Sequence, residues 1–146
     1  MDISTGSFVK ILFDKFSEIF SSFKTPLLLS ELLHYGHTRG WLEDQDERFP
    51  DSTLDRRTAA RIIHNFMRLE LQIPDLPDIS PATRLADLYS CPACVNHVAQ
   101  VFCRGIMEKH QTERDGQIFD IFDMLSPVTK SEADTIIMGM TNKYKP

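Results

Sequence analysis

The sequence predicts an all-α helical bundle, on three observations. Apolar residues recur at steps of three and four in several segments, residues that favour helix starts and stops bracket those segments, and strand signals are almost absent. With 146 residues, 42% hydrophobic and 25% charged, the chain has material for one core of ordinary size and reads as a single domain spanning 1–146.

The first element lies within residues 1–24. Phe8, Leu12, Phe16, Ile19 and Phe23 form an apolar stripe, with Lys10, Asp14, Lys15 and Glu18 between them, the pattern of an amphipathic helix packed by its Phe-rich face. A second helix opens with Thr25 as N-cap and Pro26 at the first helical position and ends near Gly36, since a glycine is permissive at helix ends. A third is capped by Asp55, carries Ala59, Ile62, Ile63, Phe66 and Leu69 on one stripe, and is stopped by the proline-rich "QIPDLPDISP", because residues before proline avoid helical geometry.

Beyond that break, "SPATRLADLY" predicts a helical turn and "CPACVNHVAQVFC" a helix. The Asp115-Gly116 pair marks a turn, followed by apolar residues read as a short helix. The last helix starts at "TKSEADTIIMGM", where Thr129 and Glu132 have the spacing of a capping box.

Two halves of the chain superpose as an internal repeat. Arg39-Gly40-Trp41 matches Arg104-Gly105-Ile106, and "LDRRTAARII" from Leu54 matches "VTKSEADTII" from Val128. Residues 25–73 and 80–144 thus each read as helix, glycine turn, loop and capped helix. The second half supplies "LADLY", "CRGIM", "RDGQIF" and "SPVTKSEA" in order, and the first "RGW", "DERFP" and "TLDRRTAA". This pattern resembles the S-layer homology repeat. The resemblance implies an α-helical module without catalysis, commonly three repeats around a pseudo-threefold axis, that binds bacterial cell-wall polysaccharide. With two repeats visible, a homo-oligomer would fill the third position.

The net charge of −5 argues against a broad nucleic-acid surface, which needs clustered Lys and Arg. No run is long enough to span a bilayer. Asp14, Lys15 and Glu18 interrupt the apolar N-terminus, so it lacks the uninterrupted core of an export signal, which favours a cytoplasmic location, or the cell surface if the repeat function is retained.

All three cysteines fall in "CPACVNHVAQVFC". An odd count argues against a disulfide framework, so reduced thiols are expected. Cys91, Cys94 and His97 are candidate metal ligands, but on one straight helix Cys94 and Cys103 lie roughly 13 Å apart along the axis and point nearly opposite ways, so they cannot share an ion. Cysteine as a small buried hydrophobe in a helix core fits better, and no metal or other cofactor is expected. A thiol-active role rests on "CPAC" at a helix start. No Ser/His/Asp set or glycine-rich phosphate loop is visible, so no enzyme is expected.

The acidic "LEDQDERFPD" lacks the ligand order of a calcium loop and reads as solvated. Arg56, Arg57 and Lys130 place positive charge just inside two helix starts, where backbone amides and a cation would converge on an anion. By the resemblance, Arg56 and Lys130 occupy the basic position of the family's Thr-Arg-Ala-Glu motif, which contacts an acidic glycan, with Trp41 available to stack on a sugar ring. The expected function is a binding module for anionic wall polysaccharide; the alternative is an adaptor that binds a protein partner.

Overall fold

The computed structural model describes residues 1–20 and 28–144, with the side chains of residues 19 and 20 left undescribed. The chain forms two compact units: Met1–Leu54 with Pro127–Pro146, and Asp55–Ser126. The first holds helices α1 (Thr5–Lys15), α2 (Leu29–Arg39), α3 (Asp44–Arg48) and α6 (Lys130–Tyr144); the second holds α4 (Arg56–Leu69), α5 (Val95–Cys103) and the strands β1 (His110–Arg114) and β2 (Gln117–Ile121).

The expectation of an all-α fold is corrected here, because β1 and β2 pair as an antiparallel hairpin and the fold is helical with a small sheet. The segment read as a short helix after Asp115-Gly116 is β2. Asp115 and Gly116 both have positive φ, 52° and 79°, and a two-residue turn of that kind matches the twist of paired strands. Ile118 and Ile121 are β-branched and suit a pleated surface.

In the first unit α1 packs on α2, α3 and α6. Phe8, Leu12 and Phe16 are buried as the stripe predicts, whereas Phe23, Thr25 and Pro26 lie outside the described residues. Helix α2 does not end at Gly36 but at Gly40, which adopts φ 94° as a left-handed C-cap. Gly36 is buried inside the helix because Trp41 and Leu42 fold back over it: a Cβ there would stand 2.6 Å from Leu42 Cδ1 and 3.1 Å from the Trp41 ring. The acidic loop forms α3, and Glu47 on it accepts from His37 at 2.8 Å and His34 at 3.2 Å.

The two glycine turns share one pattern of backbone hydrogen bonds. Trp41 and Leu42 both donate to the Gly36 carbonyl; Ile106 and Met107 donate in the same register to that of Val101, and Gly105 takes φ 72° as Gly40 does 94°. Asp55 caps α4 by accepting from the Thr58 amide at 2.8 Å, and Thr129 accepts from the Glu132 amide at 3.1 Å.

A third helix start, not read from the sequence, belongs to the same series. Ser4 accepts from the Ser7 amide at 3.1 Å and opens α1. The residues preceding the three caps close a ring within the first unit: Ile3 donates to Val128, Val128 to Leu54 and Leu54 to Ile3, at 3.0, 2.8 and 2.9 Å. Two residues on, Thr5 donates to Ser52, Arg56 to Ser126 and Lys130 to Met1. The ring has approximate threefold symmetry, and one of its three members comes from the N-terminal segment.

Candidate functional site

The second unit carries the two features with chemical potential. The first is the surface of α5. Its apolar residues Val98, Ala99 and Val101 are buried, and α5 packs against α4. Its polar face holds the proline-rich segment. Gln100, 1% exposed, clamps Leu76 at both backbone groups, accepting from its N–H at 2.8 Å and donating to its carbonyl at 3.1 Å. Arg104 donates to the Pro74 carbonyl. Asn96 donates to Asp75 at 2.9 Å.

Asp75 also accepts from His64 Nε2 at 2.7 Å, and His64 Nδ1 meets His97 Nδ1 at 2.8 Å. Two ring nitrogens at that distance require one proton between them. With His64 Nε2–H given to the carboxylate, His64 Nδ1 is the acceptor and His97 Nδ1 the donor, which leaves His97 Nε2 with its lone pair. Burial, with the neighbouring His64 ring and the Arg61 and Arg68 guanidiniums opposing a further positive charge, pushes the His97 imidazole down to about 4. Burial raises the Asp75 carboxyl, but the hydrogen bonds from His64 and Asn96 outweigh it and hold it below its ordinary value. The chain Asp75–His64–His97 therefore joins the proline-rich segment, α4 and α5. No nucleophilic hydroxyl contacts it among the described residues.

The second feature is an open groove of about 430 Å³ lined by Pro81, Arg84, Leu85, Phe102, Met107 and Lys109, with Glu108 and Asp120 also present. Its cationic side is Arg84, exposed on the turn Ser80–Arg84, and Lys109, which pairs with Asp120 at 2.8 Å. Its apolar wall is Leu85, Met107 and the half-buried Phe102. The Gly105 turn that ends α5 contributes to the same lining.

The residues singled out from sequence fall elsewhere. Arg56 is 1% exposed; its guanidinium donates to the carbonyls of Phe122 and Glu108 and lies 4.6 Å from the Phe122 ring centroid. It holds the end of the hairpin segment rather than facing solvent. Arg57 is exposed near Asp55 at 3.6 Å, and Lys130, in the other unit, is exposed near Asp134 at 3.6 Å. Trp41 is fully buried and has no ring face open to a sugar. His97 is in the relay just described.

The cysteine expectation is corrected: Cys91 and Cys94 are joined in a disulfide, and Cys103 is free. Neither bonded cysteine is a core residue; both are partly exposed, on either side of the exposed Pro92 and Ala93. Among the described residues no three His, Cys, Asp or Glu side chains converge as metal ligands, and no helix is long and apolar enough to cross a membrane. Compared with known proteins, the chain matches no family model and no curated protein.

Proposed function

We propose that the protein is a non-catalytic binding module whose ligand is an anionic saccharide of the cell-wall type, held in the groove of the second unit. The observation that carries this reading is the pairing of exposed Arg84 and Lys109 with the apolar wall of Phe102, Leu85 and Met107. A guanidinium binds a carboxylate or phosphate in two-pronged fashion. The apolar face of a sugar ring fits against an aromatic wall, and Glu108 and Asp120 offer acceptors for its hydroxyls. The repeated glycine turn and capped helix starts support the scaffold half of the reading. Relative to the sequence-based site, the ligand contact moves from Arg56 and Trp41 to Arg84 and Phe102.

Co-sedimentation with bacterial cell-wall preparations, before and after chemical removal of their acidic polymers, tests it. Binding is expected to disappear with the polymer and to weaken at least about tenfold, or about 1.4 kcal/mol, in Arg84→Ala, with an Arg57→Ala/Lys130→Ala pair testing the helix starts separately. Binding unchanged in Arg84→Ala would refute the groove. A protein-binding adaptor is the second reading. It is favoured by the two-stranded sheet, whose outer edges have no strand neighbour among the described residues and which exposes Ile118 at 67% and Phe119 at 36%. Such an edge can accept an added strand. Loss of partner binding in Ile118→Asp with the groove intact would select it.

A further inference from the structure

We propose that Cys91 and Cys94 are a reversible dithiol–disulfide pair that exchanges electrons with soluble thiols, with Cys91 as the attacking sulfur. The argument begins with the backbone. Cys91 is extended, at φ −129° and ψ 95°, and Pro92 follows at the first position of a short turn of 3-10 helix, Pro92–Cys94, that runs directly into α5. Cys91 therefore stands at the N-cap of a continuous helical run ending at Cys103. The Cys94 amide donates to the Cys91 carbonyl at 2.9 Å, which sets the two side chains on the same side of the first turn.

This position favours a thiolate. The positive end of the helix dipole faces an N-cap sulfur, and the first turns of this run contain no acidic residue to oppose it. Proline at the first helical position has no N–H to waste and a φ already suited to the helix. On reduction Cys91 is thus the sulfur better stabilised as an anion, and Cys94, three residues on, is its resolving partner.

Exposure and loop size argue against a purely structural staple. Both cysteines are partly exposed, with Pro92 and Ala93 exposed between them, while Leu88 and Val98 on either side are buried. A bond across a sequence separation of 3 closes a very short loop, so its chain-entropy stabilisation is at the low end for disulfides. The free Cys103 in the same helix is further evidence that the segment is not a fully cross-linked framework.

The exchange balances without a metal or other cofactor. A thiolate of the soluble thiol attacks Cys91 Sγ, forming a mixed disulfide and releasing Cys94 as a thiolate, which takes up a proton. A second molecule of the thiol attacks its counterpart in the mixed disulfide and frees Cys91. Two electrons pass to the protein; of the two protons the soluble thiols give up, one goes to Cys94 and one to solvent, Cys91 remains a thiolate, and the soluble thiol leaves as its disulfide. Reoxidation by the soluble disulfide is the reverse, opened by Cys91.

The test uses the full chain in glutathione buffers of stepped ratio, quenched with an alkylating label and read by mass spectrometry, with circular dichroism on the same samples. Expected are labels on Cys91 and Cys94, beside any on the free Cys103, in excess reduced glutathione, the loss of those two in excess oxidised glutathione, and an unchanged helical spectrum throughout. In Cys94→Ser, oxidised glutathione should be trapped on Cys91, and Cys91 should alkylate at pH 7 at least tenfold faster than in the same variant unfolded in urea. A pair that accepts label only after unfolding, or that stays reduced in excess oxidised glutathione, would overturn the proposal. So would a Cys91 no faster folded than unfolded.

Discussion

His97 shows how one side chain can be placed correctly and still be misread. Its position opposite the apolar stripe of α5 is legible in the spacing of the sequence, but its partner is not, because His64 lies on another helix and the contact is tertiary. The consequence is a pH dependence. The folded imidazole titrates near 4 against an ordinary value of 6.5, so the unfolded chain binds more protons as pH falls. Stability from this group is full above about 6.5 and is lost as pH falls toward 4. Because the ring is only partly buried, the loss is about 1–2 kcal/mol rather than the full shift. Urea unfolding at pH 7.5 and pH 4.5 should show it in the native protein, and His97→Gln should reduce the difference. An equal loss in the variant would place the pH sensitivity elsewhere. Arg56 and Trp41 carry the same lesson: each was legible as an unusual residue at a repeat position, but neither charge nor ring size reveals that Phe122 or Gly36 will cover it.

At the scale of elements, α4 and α6 were legible because periodicity and caps agree, and α5 from its apolar face. The hairpin was not: Asp115-Gly116 announces its turn, but both strands are short, His110–Arg114 is polar, and in Gln117–Ile121 the apolar Ile118, Phe119 and Ile121 do not alternate with polar residues. Glycine in helices separates two competing effects. Alanine is intrinsically better than glycine in a helix by up to about 1 kcal/mol, so Gly139→Ala in α6, where a Cβ meets nothing within 4 Å, should raise stability by about that much. At Gly36 the same change drives a Cβ to 2.6 Å from a Leu42 side chain that is itself buried. Overpacking costs about 1–3 kcal/mol, which outweighs the propensity gain. Gly36→Ala should therefore lower the unfolding midpoint while Gly139→Ala raises it; thermal unfolding of the two variants side by side decides the matter, and a stabilised Gly36→Ala would mean that Trp41 and Leu42 repack freely.

For the molecule as a whole, the ring of Ile3, Leu54 and Val128 closes the first unit through its own backbone. The match between the two halves of the sequence rested on a glycine turn and a capped helix together, so it did not include the N-terminal segment, whose cap, Ser4, and place in the ring appear only in hydrogen bonds. Those bonds tie residues far apart in sequence, and each ring member both donates and accepts. Removing residues 1–4 would leave the Leu54 amide and the Val128 carbonyl unpaired, and would take Met1 from the Lys130 amide. At about 1–3 kcal/mol for each buried group left unsatisfied, together with the loss of the buried Ile3 side chain, the truncation should remove much of the stability of an ordinary domain. Ser4→Ala is the matched control, because it deletes the cap but keeps the ring, and should cost about 1 kcal/mol. Denaturant titration of both variants distinguishes the two roles. If the truncation costs no more than the alanine, α1 is held by its apolar face alone and the ring is incidental; if it abolishes a cooperative transition that Ser4→Ala preserves, the N-terminal segment is the third structural member of the repeat.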